Sequence, residues 1–207
     1  MYDQILFGLT AVVSFVSAGV VAWLFVKSRD IPKLLWSLSF FILGLSTALI
    51  SADGLLKVLG FSYVAPLDCL IPGLMGAGLL MYSKENWGFY FLMYVILVFC
   101  ALFALSFNFG ALSAQYTMLV HFPGGLIIFI LPIYLAITKK LAPTSLLVGL
   151  GGLLIGIGGL AIATLSTNFQ ILPQDLVLNI VAPIFLGMTL LFTVGILATP
   201  HWGLRAR

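Results

Sequence analysis

Residues 146–160 read LLVGLGGLLIGIGGL, six glycines in fifteen positions with no charge among them. With one more residue the run contains Gly156-Ile-Gly158-Gly-Leu-Ala161, the GxGxxG/A spacing of a pyrophosphate-cradling turn, and Asp175 follows Gly156 by 19 residues, where a ribose-binding acid is sought. Such a turn needs a strand before it, a helix after it and water beside it. Here residues 146–165 form 20 consecutive uncharged positions with no break, which is the length an α-helix needs to cross the hydrocarbon of a bilayer. On a helix, Gly149, Gly152, Gly156, Gly159 and Ala163 follow steps of three and four and share one face. A face of small residues lets a second helix approach closely. The run is therefore expected to pack rather than to bind a nucleotide. Candidate neighbours are Gly73, Gly76 and Ala77 in the third apolar run and Ser37, Gly44, Ala48 and Ser51 in the second. Contact within the subunit is the expected use, and contact between protomers the other.

The rest of the chain has the same character. Nine Lys or Arg and six Asp or Glu serve 207 residues, 62% of which are hydrophobic, and the mean hydropathy is +1.23. Soluble domains carry about a quarter charged residues. The apolar residues gather into seven runs, 5–26, 34–50, 64–82, 89–107, 116–137, 146–165 and 176–197. The sequence thus predicts an all-α polytopic membrane protein with seven transmembrane helices in a single transmembrane domain, 1–207. The first run reads as a span and not as a cleaved signal, because Met-Tyr-Asp-Gln carries an acid where a basic segment is needed.

Charge sets the expected orientation. Lys27, Arg29 and Lys33 follow the first run, Lys84 the third, Lys139 and Lys140 the fifth, and Arg205 and Arg207 the seventh; Lys57 alone falls at the other ends. The positive-inside rule then gives an outside N-terminus and a cytoplasmic C-terminus, as in a plasma membrane. Trp23, Trp36, Trp87 and Trp202 fall at the basic ends and Tyr2, Tyr63 and Tyr116 at the opposite ends, as expected of aromatic residues in the headgroup layers.

The chain also repeats. WLFVKSRDIP at 23–32 aligns on YLAITKKLAP at 134–143, placing Leu24 on Leu135, Arg29 on Lys140 and Pro32 on Pro143; one gap then places Gly44 on Gly156. Val64-Ala65-Pro66 matches Val181-Ala182-Pro183, and Trp87-Gly88 matches Trp202-Gly203. Half-repeats of about 1–88 and 116–207, joined by a connector helix at 89–107, would have the same orientation in the membrane, a parallel 3+1+3 plan. Pro66, Pro72, Pro123, Pro132 and Pro183 fall within runs and are expected to free backbone carbonyls and bend the helices. Cys69 and Cys100 read as packing residues, with no CxxC arrangement.

Ionisable groups inside apolar runs are the usual pointers to function. Asp68 and His121 lie about four and five residues from the outer ends of their runs, so at ~1.5 Å per residue they are expected at similar shallow depth. Asp53, Lys57, Asp175 and Asn179 fall at the same end. Together Asp68, His121, Asp53, Asp175 and Asn179 form a candidate polar site open to the non-cytoplasmic side between the two halves. Signatures of a P-loop, a zincin, a nucleophile elbow or an EF-hand are absent. Two histidines do not supply a zinc or bis-histidine haem site. No metal, no cofactor and no nucleic acid are therefore expected, since the Lys and Arg residues serve topology and anionic headgroups.

In span count and organisation the 3+1+3 plan resembles the SWEET sugar transporters. Those carry a proline near the cytoplasmic end of the first helix of each half, to which Pro132 compares, whereas the first run here has none. The resemblance implies transport and transfers no site residue. The leading expectation is a non-catalytic transporter-like or channel-like protein. Its competitor is a structural or accessory subunit of a larger multi-subunit membrane complex, packing through glycine-rich faces. The third is an intramembrane acid-base enzyme or quinone-binding protein using Asp68 and His121. Besides the lipid bilayer, expected partners are further copies of the chain, as a homo-oligomer, or other membrane subunits.

Overall fold

The computed structural model describes residues 2–109, 114–165, 173–199 and 202, with the side chains of 114–115 and 163–165 excepted. The described residues are helical, without strands. Seven long helices are α1 (Tyr2–Ser28), α2 (Ile31–Asp53), α4 (Val64–Ser83), α5 (Glu85–Phe109), α6 (Met118–Ile137), α7 (Ser145–Leu165) and α8 (Gln174–Ala198), with a five-residue α3 (Leu55–Leu59) after α2 and a 3-10 turn (Ala114–Thr117) before α6. All seven are long and apolar enough to span a membrane. Six of the seven predicted runs lie within these helices, whose ends extend up to a few residues further, and the fifth begins two residues before α6, in the 3-10 turn. Arg205, Arg207, His201 and Gly203 lie outside the described residues.

Six helices close a ring in the order α1, α2, α4, α6, α7, α8 and back to α1, while α5 packs mainly on α4 from outside it. Named contacts give the sense of each pair. Ser37 Oγ donates to the Ala18 carbonyl while Ser51 Oγ donates to the Gln4 carbonyl, so α1 and α2 are antiparallel. Trp36, Ser39 and Ser46 of α2 bond to Met75, Ile71 and Asp68 of α4 in reverse order. On α7, Gly149 and Gly152 lie against Phe129 while Gly159 lies against His121, again antiparallel. Between α7 and α8, Gly151 meets Phe192 and Gly158 meets Ile184. Two seams differ. Gly73 against Val120 and Gly76 against Gly124 advance together along α4 and α6, as do Phe7 with Phe185 and Ser17 with Thr193 along α1 and α8. The ring is thus two antiparallel three-helix layers joined by two parallel seams, and it gathers the basic turns after α1, α4 and α6 at one end.

The ring is filled. Trp36, Phe40, Leu43, Ile128, Met188 and Phe192 are almost fully buried and belong to one cluster drawn from α2, α6 and α8 together with residues of the other ring helices. The glycines of α7 explain how that helix sits between two neighbours. A Cβ on Gly149 or Gly152 would lie 2.6 Å from Ile133 Cγ1 or from the Phe129 amide nitrogen, so this face seats α6. Gly151 faces Phe192, so a second glycine face seats α8. The expected partner helices, the second and third runs, are replaced by α6 and α8, and the stripe of four glycines splits: around Gly156 there is open space.

Two tryptophans expected in a headgroup belt are core residues instead. Trp23 and Trp87 are exposed, but Trp36 and Trp202 are buried and cross edge to face at 5.0 Å. Burial is possible because each indole N–H has a carbonyl, Met75 for Trp36 at 3.1 Å and Ile196 for Trp202 at 3.2 Å. Cys69 is buried against Val95, Val98 and Val120, whereas Cys100 is exposed on α5; both are free.

Local breaks have readable causes. Gly54 holds φ 86° and ψ 150°, a region closed to residues with a Cβ. This lets α2 stop and α3 turn back to bury Leu55 and Val58. Pro72, Pro123, Pro132 and Pro183 lie inside helices, while Pro66 falls in the first turn of α4, where its missing N–H costs little.

Candidate functional site

The residues expected to form one outer vestibule occupy separate places. Asp68 is partly buried on the α2-facing side of α4, where Ser46 Oγ donates to its Oδ1 at 2.5 Å. His121 lies between α6 and α7, its Nδ1 3.3 Å from the Thr117 carbonyl and its ring edge beside Gly159. The two do not pair. Asp53 is exposed, forms an ion pair with Lys57 and joins Asp3, Lys57 and Leu178 around a cavity of about 400 Å³ between α1, α2, α3 and α8. Asp175 and Asn179 are exposed on the first turns of α8. The direction each helix turns its polar residue was not legible from the sequence, because that depends on which neighbours it meets.

A wider cavity, missed by sequence reasoning, opens at the basic end. It measures about 970 Å³ and lies between α1, α2, α4 and α8. Its wall is aromatic: Tyr82 lies 5.4 Å from Trp36 and 6.3 Å from Trp202, centroid to centroid. Its rim carries Arg29, Lys33, Asp30 and Glu85, two charges of each sign. Lys33 bonds Asp30 at 2.6 Å and Ser28 Oγ at 2.8 Å, whereas Arg29 stands exposed with φ 58° in the turn that reverses the chain into α2. The signal was present in the clustering of Lys27, Arg29, Asp30 and Lys33 around a Pro-initiated helix, but it reads equally as topology.

Between these ends the α8/α1 seam is hydroxyl-rich. Ser17 Oγ and Thr193 Oγ1 are 2.7 Å apart. Thr10 and Thr189 donate to the carbonyl four residues back, the usual way a hydroxyl is satisfied within a helix; of Ser17 and Thr193, one donates across the seam and the other to its own helix's carbonyl four residues back. Ser14 is the exception: its Oγ is fully buried without a partner among the described residues. No group of three or more His, Cys, Asp or Glu with metal-binding geometry occurs among the described residues.

Seven apolar helices of spanning length define the chain as an α-helical integral membrane protein. No family model, curated protein or solved structure matches it.

Proposed function

We propose that the chain is a transporter-like protein of the plasma membrane, with the basic end cytoplasmic, whose halves α1–α4 and α6–α8 part to pass a small neutral or zwitterionic solute. The observation that carries this reading is the arrangement of the ring around its seams. Exchanging α1, α2, α4 with α6, α7, α8 maps every neighbouring pair of the ring onto another, and parallel seams onto parallel seams. Individual contacts follow in the register that places Leu24 on Leu135, Gly44 on Gly156 and Val64 on Val181. Ser37 on the Ala18 carbonyl corresponds to Gly149 on the Phe129 carbonyl. Trp36 against Gly78 corresponds to Val148 against Gly195, and Ser46 beside Asp68 to Gly158 beside Phe185. The basic turns agree to within one residue: Arg29 and Lys139 are the positive-φ non-glycine residues among the described residues. Parallel repeats of this kind are an architecture of transporters that work by rocking one half against the other.

The filled core favours a transporter over an open channel, since Trp36, Phe40 and Phe192 are packed into one buried cluster in the interior. The balanced charge of the basic-end cavity favours a solute without net charge. Polar groups along the route are Ser14, Ser17 and Thr193 at one seam and the Ser46–Asp68 pair between α2 and α4. Uptake by proteoliposomes of a panel of sugars, amino acids and betaines tests the reading. Entry of at least one faster than into protein-free vesicles is expected; entry of none overturns it.

One observation favours the accessory-subunit reading. Among the ring helices α5 rests mainly on α4, and Tyr90, Met93, Leu97 and Phe107 are 71%, 63%, 71% and 77% exposed. A stoichiometric foreign subunit retained through gentle detergent extraction, and lost when Leu97 is changed to Trp, would establish that use of α5.

A further inference from the structure

The outer surface of the α6/α7 pair carries a wedge-shaped groove of about 240 Å³. It is closed at its deep end, where Gly152 lies against the Phe129 backbone. It widens toward His121 because Gly156 and Gly125 leave their space unfilled, with no atom within 4 Å of a Cβ built on either. Its lips are Phe122, Leu126, Leu153 and Leu160, all exposed on a surface that lies in the bilayer. Among the lining residues His121 alone is ionisable. An apolar groove open sideways to lipid is filled by a hydrocarbon chain. The width between two helices admits one chain, and the seven residues from Gly159 to Gly152 give it a depth of about 10 Å.

His121 specifies what stands at the top of that chain. The Thr117 carbonyl only accepts, so the neutral ring carries its proton on Nδ1 and presents a lone pair at Nε2. Nε2 neighbours Cδ2, the ring edge that lies 3.6 Å from the Cβ position of Gly159 at the mouth of the groove. Its partner must therefore donate a hydrogen bond. His121 is the fourth residue of α6, so its Cα lies about 5 Å along the helix from its start, where lipid headgroups meet chains.

We propose that the α6/α7 groove binds a single-chain lipid with a hydroxyl headgroup, the hydroxyl donating to His121 Nε2 and the chain running over Gly125 and Gly156 to end at Gly152. The site is independent of the transport reading, since it lies on the lipid-facing side of one helix pair.

Tritiated oleyl alcohol bound to the purified full-length chain in detergent, with unlabelled competitors, tests it. Oleyl alcohol is expected to compete about tenfold better than oleyl methyl ether, which has the same chain but no hydrogen to donate. His121→Phe should abolish that difference, and Gly156→Leu, which fills the groove, should abolish specific binding of both. If Gly156→Leu does not yield a monodisperse protein, Gly125→Leu fills the groove from α6 and should give the same loss. Equal competition by alcohol and ether, or unchanged binding in the groove-filling variant, overturns the proposal. Preference for a decyl-substituted benzoquinone, whose carbonyls accept, overturns it in favour of a hydrogen-bond-accepting ligand.

Discussion

Tyr94 Oη of α5 donates a 2.6 Å hydrogen bond to the Leu119 carbonyl of α6, the carbonyl that Pro123 leaves without its helical N–H partner. The proline and the tyrosine are one device: the first frees an acceptor in lipid, and the second satisfies it while tying the peripheral helix to the ring. Tyr94→Phe is expected to cost about 0.6 kcal/mol, the average for hydrogen bonds between membrane helices, and no more than about 1.7 kcal/mol. In a Pro123→Ala background the restored backbone N–H bonds the Leu119 carbonyl, so the same change should cost clearly less. Unfolding in mixed micelles of the four variants of this cycle measures the difference.

The two middle glycines of the α7 stripe should behave oppositely. Gly152→Leu drives a side chain into the Phe129 backbone and should destabilise by at least ~1–3 kcal/mol, the cost of overpacking. Gly156→Leu meets open space and should leave the thermal transition within a few degrees of the parent. Equal loss in both would mean that the groove beside Gly156 is closed by another part of the assembly.

Gly54→Ala should destabilise by about 1–3 kcal/mol, because its backbone conformation excludes a Cβ although nothing crowds the site. Cysteine accessibility at Leu55, buried in the parent, would rise as α3 comes loose; an unchanged labelling rate would contradict this origin of the loss.

Asp68 and His121 are expected to separate functionally. Asp68→Asn keeps the Ser46 hydrogen bond but removes the charge beside the α2/α4 interface, and solute uptake should fall at least tenfold at equal protein. His121→Ala, altering the α6/α7 groove, should leave uptake within twofold. Parallel losses would return the two residues to one site.

The helices were legible because a bilayer demands about 20 apolar residues per span and allows few alternatives, and their ends moved by no more than a few residues. The rotation of each helix was not legible. Gly149 and Gly156 share a face by spacing, yet a Cβ on the first would meet α6 and a Cβ on the second would meet nothing. Trp36 and Trp202 were read by depth alone as headgroup anchors, and their mutual contact needed α2 and the end of α8 to be brought together. Asp68 and His121 failed to meet for the same reason: α4 turns Asp68 to α2, and α6 turns His121 to α7.

Whether the halves part along their seams is decided by one flux experiment. Ser17 and Thr193 hold the α8/α1 seam with oxygens 2.7 Å apart, close enough for a disulfide in the Ser17→Cys, Thr193→Cys variant with Cys69 and Cys100 replaced by alanine. Uptake of the solute found in the proteoliposome panel should stop when this variant is oxidised and return to the unoxidised rate when dithiothreitol reduces the bond. Uptake that proceeds at the same rate through the cross-linked seam would contradict the parting of the halves.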